Sequence, residues 1–88
     1  MENKDIILDH HSDGGHGWIK VTKDLFNRTN RTMKHISCYS YQDDENYYLE
    51  EDCDATSYLN NLKDQDIKCY LTSIDDGDYS FIRNLDSC

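Results

Sequence analysis

The sequence predicts a single small α+β domain over residues 1–88, with about five short, mostly antiparallel strands and two short helices. Three observations predict it. Eighty-eight residues are enough for one core. Short runs rich in Ile, Tyr, Val and Trp alternate with polar residues, the period of half-buried strands. Two further stretches have helical spacing, each preceded by a residue suited to capping.

Taken in order, Ile6–Leu8 is a short apolar run suited to an edge strand. Asp9–Gly17, DHHSDGGHG, holds three histidines, two aspartates and three glycines in nine residues and reads as a loop. Trp18–Val21 alternates as a strand, Thr22 is placed to cap, and Lys23–Thr29 reads as a helix with Leu25 and Phe26 facing the core. Asn27–Thr32 is polar and poor in helix formers, so the chain should loop there. Ile36–Gln42 and Tyr47–Glu51 then read as two strands joined by a polar turn at Asp43–Asn46. Tyr47 and Leu49 share one face; Tyr48 and Glu50 take the other. Asp52 or Asp54 is the expected cap of a second helix, Ala55–Lys63, which places Ala55, Leu59 and Leu62 on one side with Tyr58 beside them. Ile67–Ile74 alternates as a strand, and Asp-Gly within Asp75–Asp78 predicts a hairpin into a returning strand at Tyr79–Arg83. The terminal NLDSC should fray.

Composition bounds stability and partners. Apolar residues make up 36% and charged residues 31%, which moves the chain toward the disordered boundary, and ten aromatics pull it back. A domain of this size buries only about 60% of the surface its unfolded chain exposes. Binding to a partner, or self-association as a homodimer, would add stability by mass action. The net charge of −9 opposes direct contact with nucleic acid or an anionic membrane and suits a basic partner. Seven acids lie between Asp43 and Asp54, and no Lys or Arg occurs between Lys34 and Lys63, so most of that charge sits in one stretch. The start, MENKDIILDHH, lacks the pattern of a secretory leader, and no apolar run approaches the roughly 20 residues of a membrane span. A cytosolic setting is expected. The four cysteines at 38, 53, 69 and 88 are widely spaced, with no C-x-x-C pair, and read as reduced thiols. Cys88 is expected to be exposed.

Four segments in this order, SDGGHGWIKV (Ser12–Val21), ISCYSYQ (Ile36–Gln42), YLEEDCDA (Tyr48–Ala55) and SFIRNL (Ser80–Leu85), resemble a family of small uncharacterised proteins of bacteriophages and mobile elements. The likeness spans most of the chain. Thr22 stands where that family usually has proline. The resemblance implies a phage or plasmid origin and carries over no reaction and no catalytic residue.

Four site readings follow from the residues. Asp9, His10, His11, Asp13 and His16 are metal-ligating types, with Glu50 or Asp52 able to complete a shell. His10 and His11 are neighbours, however, and on a strand would point to opposite faces. The plain alternative is a loop whose rings pack on Trp18 or cap backbone groups. Glu50 and Glu51 beside His16, or Cys53 with His16, are candidate acid–base and nucleophilic pairs. Adjacent glutamates would face apart, and the charges of Asp52 and Asp54 disfavour a Cys53 thiolate, which leaves Cys53 as a small core residue at the helix start. Gly14–Gly17 offers amides for a phosphate or nucleotide, with Trp18, Tyr39 and Tyr41 to stack a base, against the reading of a tight turn. The last candidate is a protein-binding surface of carboxylates and tyrosines: Asp43, Asp44, Glu45, Glu50, Tyr39, Tyr41 and Tyr48. It is favoured. The expected function is inhibition of a basic host protein, of a bacterial defence system, by anti-CRISPR or anti-restriction action that includes mimicry of nucleic acid. No catalytic residue and no cofactor are assigned. A metal- or nucleotide-binding module built on His10, Asp13, His16 and Trp18 is the alternative, and a small hydrolase the third choice.

Overall fold

The computed structural model describes residues 5–88; the first four, which open the segment read above for a leader, lie outside the described residues. Among the described residues there are six strands: β1 (Ile6–Ser12), β2 (Gly17–Thr22), β3 (Tyr41–Gln42), β4 (Asn46–Glu50), β5 (Cys69–Asp75) and β6 (Asp86–Ser87). Two α-helices join them, α1 (Lys23–Arg28) and α2 (Asp54–Asp64), with short 3-10 turns at Met33–His35 and Phe81–Asn84. The strands form one sheet in the order β5-β1-β2-β4-β3-β6. Every pair is antiparallel except β1–β5.

The α+β class is as expected, and the mixed sheet is a refinement of it. Parallel neighbours need a crossover, and the segment β4–α2–β5 supplies one by carrying α2 across a sheet face. Strand β1 is therefore an inner strand, and the expected edge strand at Ile6–Leu8 instead runs on through His10 and His11 to Ser12. Only Asp13–His16 is left as the loop.

The sheet has a core on each face. On one, Leu8, Ile19, Val21, Tyr47 and Leu49 pack against Phe26 of α1 and Ala55, Tyr58 and Leu62 of α2. On the other, Trp18 and Tyr48 pack against Ile82, with Tyr41 and Leu85 at the margin. The strand alternation expected for Tyr47–Glu50 thus holds, and both faces are used. Thr22 caps α1 as predicted, its hydroxyl accepting from the Leu25 amide at 3.0 Å. Both helices end through a left-handed residue, Asn30 at φ 68° and Asp66 at φ 60°, the residue types that tolerate this best after glycine.

Three local readings are corrected. Ile36–Gln42 is a strand only at Tyr41–Gln42, because Ser37 and Ser40 turn inward to Asp54. Cys53, not Asp52 or Asp54, occupies the cap position of α2 and makes no capping bond. Asp54 lies inside the first turn and accepts from the Ser37 amide and hydroxyl, both at 2.8 Å, and from the buried Ser40 hydroxyl. The Asp-Gly turn does not launch a hairpin: Gly77 adopts φ 84°, and Ser80 then caps the Phe81–Asn84 turn through the Ile82 amide. The C-terminus does not fray either. Asp86–Ser87 adds β6 to β3, and Cys88 is half-buried against the larger core, where burial and then Asp54 push its thiol up to about 11.

Candidate partner-binding cleft

The register of three strands assembles the site. Trp18 on β2 lies directly opposite Glu50 on β4, and Tyr48, two residues back, lies opposite Tyr41 on β3. Residues paired this way project from the same sheet face, so Trp18, Glu50 and Tyr41 stand together. The Trp18 and Tyr41 rings meet edge-to-face with centroids 6.2 Å apart, and His16 tilts against Trp18 at 6.1 Å. These side chains line a cleft of about 360 Å³, completed by Cys38, Tyr39, Asp52, Cys53 and Arg83. The His/Gly loop and the tyrosine strand, separate in sequence, thus share one concavity.

Arg83 is the residue sequence reasoning missed. It comes from the 3-10 turn after Ser80, and its guanidinium lies over both the Trp18 ring (5.3 Å) and the Tyr79 ring (5.4 Å). Asp13 holds it through a two-point pair, Nη2 donating to Oδ1 at 2.9 Å and Nε donating to Oδ2. The Asp13 side chain is wholly inaccessible, and the Arg83 guanidinium, then the amides of Ser80, Gly15 and His16, hold its carboxyl far below the usual carboxylate range against the effect of burial. The one Lys or Arg side chain lining the cleft among the described residues is therefore already neutralised. Glu50 accepts from the Asp52 amide at 3.1 Å, and among the described residues neither carboxylate has an ion-pair partner, which leaves the cleft net acidic around aromatic walls.

The remaining sequence candidates separate. Asp13 accepts from the Gly15 and His16 amides, each at 3.0 Å, so the glycine loop is closed on itself as an Asx turn and those amides are not open to phosphate. Gly17 is closely approached: a Cβ there would meet the Glu51 carboxylate and lie 2.9 Å from His10 Nε2, so those side chains would have to shift. His10 and His11 do point to opposite faces: His10 meets Glu51 at 3.3 Å, and His11 meets Asp76 at 3.1 Å. Asp76 also accepts from the Ser80 hydroxyl at 2.6 Å. That places aspartate between serine and histidine, the wrong order for a base acting on a nucleophile, and pins the C-terminal turn to β1 instead. Among the described residues no group of three or more His, Cys, Asp or Glu is placed to hold a metal ion.

The acid cluster also divides. Asp43 is half-buried and shapes the β3–β4 turn, accepting from the Asn46 amide at 2.8 Å, the Glu45 amide at 3.0 Å and the Tyr48 hydroxyl at 2.9 Å. Burial raises its pKa, but those bonds outweigh burial and hold it low. Tyr48 is 3% exposed, so it is a core residue and not part of any surface; burial, then Asp43, push its hydroxyl up to about 12. Trp18, at 2% exposed, is likewise a wall and not a protruding anchor. Cys53 is exposed, contrary to its expected core role. Asp44 and Glu45 are exposed and line a shallow groove with Asp86. Tyr39 is 66% exposed at the rim of the cleft.

Comparison of the chain with protein-family models, with curated proteins and with solved structures finds no match in any of the three. No helix among the described residues is long and apolar enough to cross a membrane.

Proposed function

We propose that the protein is a non-enzymatic binding protein that docks a basic segment of a protein partner, with a Lys or Arg anchor entering the Trp18–Tyr41 cleft. The observation that carries this reading is the convergence of aromatic walls with the carboxylates of Glu50 and Asp52, while Arg83, the one Lys or Arg lining the cleft among the described residues, is locked to Asp13. A cation is attracted to aromatic faces and to carboxylates alike. Trp18 Nε1 adds a second attraction, being a buried donor without an acceptor among the described residues, which a carbonyl from a docked chain would satisfy. Asp44, Glu45 and Asp86 extend the negative field from the other end of β4, about 17 Å away along five residues of strand.

Seven acids lie between Asp43 and Asp54 with no Lys or Arg in that segment, which suits competition with nucleic acid for a basic groove. Together with the resemblance to phage and mobile-element proteins, this makes inhibition of a host defence protein in the bacterial cytosol the biological role proposed. The nucleotide alternative is less well supported, because Arg83, the one Lys or Arg lining the cleft among the described residues, is held by Asp13.

The test uses the sole tryptophan as a reporter. Affinity capture from host lysate should yield one salt-sensitive partner, and a basic peptide from that partner should shift Trp18 fluorescence on titration. Glu50→Lys with Asp52→Lys should abolish the shift, and reversal of Asp44 and Glu45 should weaken it. Capture that survives all four changes would refute the cleft as the contact; a shift produced by nucleotides and not by basic peptide would favour the alternative.

A further inference from the structure

Two of the four cysteines, Cys38 and Cys53, line the same cleft, and both are exposed. Their backbones are tied to one another. Ser37, which precedes Cys38, donates its amide and its hydroxyl to the carboxylate of Asp54, which follows Cys53, each at 2.8 Å. Cys38 is second in the turn that the Ser40 amide closes onto the Ser37 carbonyl at 3.4 Å, and Cys53 sits at the cap position of α2 without making a capping bond. The other two thiols differ in kind. Cys69 and Cys88 pack against the larger core, where burial pushes both thiols up, away from the thiolate form that reacts.

We propose that Cys38 and Cys53 form an oxidisable pair, which hydrogen peroxide closes to a disulfide across one rim of the cleft. Peroxide is uncharged, so the acidic cleft does not repel it as it would an anionic oxidant. The sulfur of one cysteine attacks a peroxide oxygen, the O–O bond breaks, and a sulfenic acid and one water result. The sulfur of the other cysteine then attacks the sulfenic sulfur. The S–S bond forms, the S–O bond breaks, and the thiol proton leaves with the hydroxyl as a second water. Two thiols thus lose two electrons in all, and one peroxide is reduced to two waters. The bond ties the turn that carries Tyr39 to the start of α2, which fixes that rim. Chain proximity does not select this pair, since the cysteines at 38, 53, 69 and 88 follow one another at similar intervals; the fold does. The site stands whether or not a basic segment docks in the cleft.

Titration of the reduced full chain with hydrogen peroxide tests it, followed by alkylation in denaturant, intact mass and peptide mapping. The product should be a monomer lighter by two hydrogens, with Cys38 joined to Cys53 and with Cys69 and Cys88 alkylated. Cys38→Ser should abolish the link and leave Cys53 as a sulfenic acid that dimedone traps, and Cys53→Ser should do the converse. Both positions are exposed, so serine is accommodated at each. Oxidation in urea should lose the selectivity and spread the links among all four cysteines. Thiols that all resist peroxide, or oxides at Cys38 and Cys53 without a link, overturn the proposal. So does a native product linked chiefly through Cys69 or Cys88, a covalent dimer in place of the monomer, or the same preference for Cys38–Cys53 in urea.

Discussion

Replacing Asp54 with alanine would remove the carboxylate that joins the Ser37–Ser40 segment to the start of α2. Its three accepted bonds come from the Ser37 amide, the Ser37 hydroxyl and the Ser40 hydroxyl. Hydrogen bonds to a charged group contribute about 1.5–3 kcal/mol each, but not all three are lost in full. Ser37 is half-buried and can turn its donors to water, whereas Ser40 is fully buried and cannot. The Ser40 bond alone accounts for about 1.5–3 kcal/mol, Ser37 for roughly 1 more, and the favourable charge in the first turn of α2 for about 0.3–1. The expected loss is about 3–5 kcal/mol, a large part of a typical small-domain stability of about 5–15 kcal/mol. Urea unfolding followed by Trp18 fluorescence should show a lowered midpoint with unchanged slope. The Ser40 hydroxyl also accepts from the Glu50 amide at 2.9 Å, so Ser40→Ala breaks the same knot from the other side. The double variant should therefore cost about 1 kcal/mol or more less than the sum of the single ones. Strict additivity, or an Asp54→Ala loss below about 1 kcal/mol, would refute the account of Asp54 as the tie between these segments.

Acid should destabilise the fold through Asp13 and Asp43, whose folded-state pKa values are depressed. The unfolded chain then binds more protons, so stability present above the ordinary carboxylate value is lost as pH falls below about 4, and Asp43→Asn should flatten that slope in urea midpoints. At the alkaline end the sign reverses for Tyr48, raised from 10.0 to about 12. Its contribution is complete below pH 10, falls as pH rises through 12, and totals about 2–3 kcal/mol; Tyr48→Phe should remove this step from a pH series of unfolding curves. Ile82→Ala should cost about 2–4 kcal/mol, because a fully buried side chain leaves a cavity under the C-terminal turn. The same change should weaken binding of a basic peptide at the cleft, as Arg83 is carried by that turn; an effect on stability alone would separate the two.

Local chemistry was legible where the residues act on near neighbours. Thr22 caps the helix that follows it, Asp43–Asn46 turns, and Tyr47 through Glu50 alternate, all within a few residues of the groups they meet. What escaped the sequence was set at long range. Ser37 and Ser40 read as strand residues until Asp54, seventeen and fourteen positions on, draws them out of the ladder. Asp-Gly at 76–77 is a sound hairpin signal, but Asp13 takes the Ser80 amide at 2.9 Å and the Arg83 side chain, which directs the chain across the sheet face. Parallel pairing of β5 with β1 has no local mark at all, being a consequence of α2 crossing the sheet. The cleft shows the same division: Trp18, Tyr39, Tyr41, His16 and Glu50 were legible as unusual residues, while Arg83 and its neutralisation by Asp13 depend on a partner seventy positions away.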